Sequence, residues 1–214
     1  MKLSKDGQKV IGSKENISCD SLGISGGWTP AVHLFTQSGG KLKFRDDDQV
    51  FIPNTYPSNQ ISIGSCNGDF TLDEILINAP KLLKEFLNIK KTEYENIEIY
   101  SAFNKSKRNI WLLPSNKIVG KTKSFVDFQN DATAKDIKLA LREGFRSIEH
   151  VKRYTTTGMG TDQGKLGNMH ALGIISETAS SKMGELGTTT FRPPYTPLTF
   201  GTIVGRNVGK YFDI

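Results

Sequence analysis

The chain has 214 residues, with 28 lysines and arginines against 22 aspartates and glutamates, giving a formal charge of +6. Its hydrophobic content of 36% suits a globular protein with one or two cores. No run approaches the roughly 18 apolar residues of a membrane span. The cations are scattered among acids such as Asp46 to Asp48 and Glu93, which describes a solvated surface and no nucleic-acid recognition motif.

The N-terminal MKLSKDGQKVIGS lacks a signal peptide's apolar centre. Cys19 and Cys66 read as small buried hydrophobes in a reducing compartment, and a disulfide is the weaker reading. Cytoplasm is the expected location. Ile17 to Ile24 predicts a buried strand ending at the Gly26-Gly27 turn, with Trp28 as a packing anchor. His33 falls at a helix start and, with no acidic or cysteine neighbour, reads as a satisfied structural residue. Val50 to Ile52 and Ile61 to Ile63 predict short strands around a Pro53/Pro57 loop.

Thr71 opens a helix, with Glu74 placed to complete a capping box. Leu72, Ile75, Leu76, Ala79, Leu82, Leu83 and Phe86 form its apolar stripe, and Pro80 predicts a kink or break. Residues 89–123 are polar and lysine-rich, anchored by Trp111, and read as a linker. Beyond it, Thr133 caps a helix that turns Ile137, Leu139, Ala140 and Leu141 inward and stops at Gly144. Ser147 caps a second, carrying Ile148, Val151 and Tyr154, and a third runs from about Met169 to Ala179. The Thr/Pro/Gly-rich tail, 185–214, reads as an extended arm.

Three stretches offer ligand chemistry. In Ile63 to Leu72 an apolar run meets a Gly-bearing turn and a capped helix, whose amides suit an anion; an ordinary strand-to-helix turn explains it too. In Ser25 to Pro30 the paired glycines allow close backbone approach. Arg153 to Asn168 combines three adjacent threonines, Gln163, Lys165 and four glycines. It is not a P-loop, because Met159 stands where the first glycine belongs and Leu166 replaces the Mg²⁺-binding hydroxyl. It is either an inter-helix loop or a hydrogen-bonding surface for a phosphate or ribityl chain. His150 and His170 lack a paired carboxylate at helical spacing, and no general acid or base stands out. No G-x-G-x-x-G follows the first strand, so the opening unit of a dinucleotide-binding fold is missing.

The stretches SGGWTPAVHLFTQSGGKLKF (Ser25 to Phe44), IGSCNGDFTLDEIL (Ile63 to Leu76), FVDFQNDATAKDIKLALREGF and its continuation (Phe125 to Asn168) and FRPPYTPLTFGTIVGR (Phe191 to Arg206) closely resemble the alpha subunit of heterotetrameric sarcosine oxidase, in the same order. The resemblance implies an α/β fold. Residues 1–88 would be the closing strands and helix of a dinucleotide-binding (Rossmann-like) domain, 89–123 a linker, 124–184 a small all-helical domain, and 185–214 an extended arm leading to a folate-binding domain. It implies that Gly64, Ser65, Phe70 and Leu72 lie against NAD. It further implies that Thr155, Thr156, Gln163, Lys165 and Asn168 contact an FMN shared with the beta subunit. FAD and tetrahydrofolate would lie elsewhere in a complex with beta, gamma and delta subunits that demethylates sarcosine and produces peroxide.

Related dehydrogenase subunits carry an iron–sulfur domain of similar helix pattern, whose four cysteines correspond to Asp127, Gln129, Asp162 and Gly167 here. With no thiolate among them, no iron–sulfur cluster is expected. On this reading the chain holds cofactors and assembles subunits; the alternative is a non-catalytic binding or assembly module without turnover of its own.

Overall fold

The computed structural model describes residues 2–5, 9–13, 15–90, 109–114, 123–193 and 195–209. A short antiparallel hairpin of β1 (Lys2–Leu3) and β2 (Val10–Ile11) begins the chain. The strand predicted over 17–24 does not form: Ile17, Leu22, Ile24 and Trp28 are 77–86% exposed. A strand holds its backbone through a ladder partner, and this stretch has none among the described residues. Cys19 is accordingly exposed and not buried, while Cys66 is half-buried; both are free thiols.

After α1 (His33–Gln37), β3 (Lys41–Arg45) pairs antiparallel with β4 (Val50–Thr55). The strand expected at Val50 to Ile52 forms within β4, and all three residues are buried. Phe44 of β3 meets Phe51 at 5.0 Å between ring centroids. The strand expected at 61–63 does not form: these residues join no sheet among the described residues, and Ile63, in extended conformation, leads into a tight helical turn at Gly64–Asn67. Gly68 follows at φ +88°, where an added Cβ would stand 2.8 Å from the Ile52 Cγ2. Arg45 fastens this turn to the hairpin, donating to the Gly68 carbonyl at 2.8 Å and to Asp48 at 2.8 Å.

The capping box at Thr71 is present: Thr71 Oγ1 accepts from the Glu74 amide and Glu74 accepts from Thr71 N. The helix it opens, α2 (Leu72–Phe86), runs on through Pro80. One proline removes one i→i−4 bond, and the bonds on either side suffice. None of its residues is buried, so the apolar stripe lies largely open.

The second half begins with β5 (Phe125–Asp127) and β6 (Ala132–Thr133), antiparallel. Then come α3 (Ala134–Arg142), α4 (Ile148–Thr155), α5 (Asn168–Ala179), α6 (Met183–Leu186) and α7 (Phe200–Val204). Thr133 caps α3, with Asp136 completing the box, and Gly144 ends it at φ +98°. Ser147 stands at the α4 N-cap but its side chain makes no cap bond. Tyr154 is 46% exposed, resting on Phe145. The tail is not wholly extended, because its proline-free part folds as α7.

Ile137, Val151, Leu172, Ile174 and Ile175 are fully buried between α3, α4 and α5, each worth about 1.5–3 kcal/mol of apolar burial. Phe51 of β4 belongs to the same cluster, with Leu42, Phe44 and Trp111 packed against it. The core thus draws on both sides of the expected linker, most of which (91–108 and 115–122) lies outside the described residues. Trp111 is the anchor foreseen there: it covers Gly173, where a Cβ would stand 2.2 Å from the indole.

The result is a mixed fold of helices and three two-stranded antiparallel sheets among the described residues. No described helix is long and apolar enough to cross a membrane.

Candidate functional site

A cleft of about 480 Å³ lies between the Ser25–Thr29 turn, the Asp48–Val50 bend, the Asn109–Trp111 segment and the start of α5. Trp28, Phe70, Ile110, Trp111, Leu166 and Met169 give it apolar walls, and Lys165, His170 and Gln49 are polar. Gln49 is fixed by accepting the Asn109 amide at 2.9 Å, and His170 by an edge contact with Trp111. Gly27 turns the near wall at φ +99° with open space beside it, so backbone conformation and not crowding calls for glycine.

Two expected site residues from distant parts of the sequence, Phe70 and Lys165, meet in this cleft. Gly64, Ser65 and Leu72 do not line it. Gly64 is buried at φ +73°, Ser65 is exposed, and Leu72 is 59% exposed on α2. Sequence reasoning missed Trp111, Met169 and His170 as walls. The available signal was composition: Trp28 and Trp111 are the chain's two tryptophans, and both are here.

The threonine loop is largely bonded to itself. Thr155 Oγ1 donates to the Val151 carbonyl at 2.8 Å and bonds Thr157 Oγ1 at 2.7 Å, while Thr156 Oγ1 donates to the Thr155 carbonyl. Gln163 Oε1 accepts from Arg192 N at 2.9 Å. Asn168 Nδ2 donates to the Gln163 carbonyl and to Thr189 Oγ1. Gly158 and Gly164 make room for that carboxamide, since a Cβ on either would come within 2.2 Å of Asn168 Oδ1. Lys165 donates to the Tyr195 carbonyl and lies 4.1 Å from the centre of its ring.

Asp127, Gln129, Asp162 and Gly167, at which the resemblance sets the cysteines of iron–sulfur domains, serve as hydrogen-bond and packing points. Asp127 accepts from the amides of Gly158 at 2.7 Å, Gln129 at 2.9 Å and Asn130 at 3.0 Å. Gln129 Oε1 accepts from both N and Oγ1 of Thr161. Asp162 accepts from Gly164 N, and a Cβ on Gly167 would stand 2.5 Å from the Val126 carbonyl oxygen. Burial pushes the Asp127 carboxyl upward, but these bonds, led by Gly158, outweigh it and hold it below the usual carboxylate value. This donor set does not fit an iron cluster. Among the described residues no group of three or more His, Cys, Asp or Glu is placed to hold a metal ion.

The chain's sequence relatives are oxidoreductase subunits. Residues 121–206 match the family model described as the Sarcosine oxidase A3 domain. Sarcosine oxidase subunit alpha of Rhizobium meliloti (strain 1021) is 37% identical over 207 residues, covering 94% of this chain and 20% of that protein. The subunit alpha of Corynebacterium sp. (strain U-96) is 33% identical over 216 residues, covering 97% of this chain and 22% of its own length. The resemblance read from the motifs therefore holds: this chain is a relative of sarcosine oxidase alpha subunits, and spans about a fifth of their length. In fold it is similar to the crystal structure of L-proline dehydrogenase from P. horikoshii, with a TM-score of 0.50 and 19% identity, over 84% of this chain and 38% of that one.

Proposed function

We propose that the chain forms the cofactor-holding middle of a sarcosine oxidase-type alpha subunit, in a complex with beta, gamma and delta subunits that oxidatively demethylates sarcosine. In this reading β3, β4 and α2 close a dinucleotide-binding domain that holds NAD, and the helical half faces an FMN shared with the beta subunit. FAD, tetrahydrofolate and peroxide release belong to other parts of the complex, and the working compartment is the cytoplasm. The observation that carries the reading is one cleft lined both by Phe70, expected against NAD, and by Lys165, expected against FMN.

The cleft fits such a guest. Its volume of about 480 Å³ lies within the ~300–1,000 Å³ of small-molecule sites. Two indoles and Phe70 can flank a planar ring, the Gly26-Gly27 backbone admits close approach, and Lys165 can neutralise a phosphate. A bound flavin supplies reversible acceptance of electrons. The chain's own residues bind and orient, because the carboxylate and imidazole that line the cleft, Asp48 and His170, are engaged elsewhere, Asp48 by Arg45 and His170 by the edge of Trp111.

The test is Lys165→Ala in the assembled complex, with electron transfer from FAD to FMN followed by stopped-flow absorbance. One charge-assisted hydrogen bond is worth about 1.5–3 kcal/mol, so a tenfold to hundredfold slower transfer is expected. An unchanged rate with intact assembly would reduce the loop to a helix connector. That outcome would favour the second reading, a binding or assembly module without turnover, which the self-bonded side chains of Thr155, Gln163 and Asn168 support.

A further inference from the structure

Beside the cleft lies a small chamber of about 30 Å³, lined by Thr29, His33, Lys165, Asn168, Thr188 and Thr189 together with apolar side chains. His33 is 8% exposed, and neither Nδ1 nor Nε2 meets a partner among the described residues. Its ring is held from the arm that follows α6, by Phe191 at 3.9 Å and Tyr195 at 5.7 Å between centroids. Buried polar groups in folded proteins nearly always bond something. The histidine read as a satisfied structural residue finds no partner among the described residues: packing fixes the ring and leaves both nitrogens to a guest.

We propose that His33 anchors a binding site for a water-sized neutral molecule that both gives and takes a hydrogen bond, with water as its resident. Size sets the upper limit, because a water needs roughly 10–15 Å³ of such space and drug-sized ligands need roughly 300 Å³ or more. Charge sets the class. Burial and then the nearby Lys165 lower the His33 pKa from 6.5 to about 4, so the imidazole is neutral, with one donor and one acceptor. The Lys165 ammonium turns to the carbonyl and ring of Tyr195, and a space of about 30 Å³ has no room for a phosphate or carboxylate beside it. Thr29, Lys165 and Met169 line both chamber and cleft, so the guest sits against the wall of the larger site.

Two measurements on the full chain test this. In a ¹⁵N-histidine-labelled sample, with the other imidazoles assigned through His150→Gln and His170→Gln, the His33 ring should stay neutral down to about pH 4 and show a ring N–H in contact with water. Titration near the ordinary value of about 6.5, or a ring N–H without water contact, would overturn the site. In a crystal, density is expected about 2.7–3.2 Å from a ring nitrogen. It should be absent in His33→Phe. A dry chamber that takes up xenon, or a water that survives His33→Phe, would show that the imidazole is no anchor.

Discussion

The Asp127 carboxylate accepts the Gly158 amide at 2.7 Å, joining positions 31 residues apart. That bond ties the β5–β6 hairpin to the loop after α4, and Gln129 with Thr161 adds a second tie beside it. Removing the Asp127 side chain leaves the Gly158 amide buried without its partner, at a cost of about 1–3 kcal/mol. Asp127→Ala should lower Tm in scanning calorimetry, and Asp127→Asn should lower it less, since one acceptor oxygen remains.

The same carboxylate sets an acid limit. Its folded pKa is depressed, so its contribution is complete above the unfolded value of about 3.9 and fades as pH falls through the lower folded value. Asp127→Asn should therefore flatten the stability–pH curve below about pH 4. Denaturant midpoints measured across that range read the effect.

His33 acts in a higher window. Its folded pKa of about 4 lies below the ordinary 6.5. Its contribution is full above pH 6.5 and is lost as pH falls toward 4, because the unfolded chain takes the proton first. His33→Phe should remove that slope, and urea midpoints between those limits check it.

Gly173→Ala would place a methyl group 2.2 Å from the Trp111 ring. Overpacking of this kind costs about 1–3 kcal/mol, and displacement of the indole should disturb the cleft wall as well as Tm. Near-ultraviolet circular dichroism tests both at once. A variant as stable as the parent, with an unchanged spectrum, would mean the helix yields without moving the tryptophan.

Thr133→Val removes the α3 cap while keeping shape. A lost cap costs about 1 kcal/mol, so a Tm lowered in proportion is expected, with no change at the cleft.

The Thr71–Glu74 capping box and the Thr133 cap could be read from sequence because a cap is local; Asp136, three residues after Thr133, completes a second box that the reading did not name. The same holds for the stop at Gly144. Residues 17–24 have strand composition but lack a partner, and composition cannot supply one. The alternation in Lys41–Arg45 was legible and overlooked. Phe70 and Lys165 were each named for a ligand-binding role, but their shared cleft follows from tertiary packing across 95 positions of chain. The unpartnered nitrogens of His33 depend on Phe191 and Tyr195, more than 150 residues away, which no local pattern encodes.

Because both tryptophans line the cleft, indole emission in this protein is a local optical probe. Trp28 is open to water, at 77% exposure, while Trp111 is half-buried against α5, so their spectra should separate into a red and a blue component. Quenching by a ring that slides between them would be visible without a label, and loss of the blue component on heating would time the departure of the 109–114 segment from α5. Helix content followed in the far ultraviolet reports every helix, α2 (Leu72–Phe86) included, so comparing the two signals would tell whether the 109–114 segment leaves α5 before the helices melt.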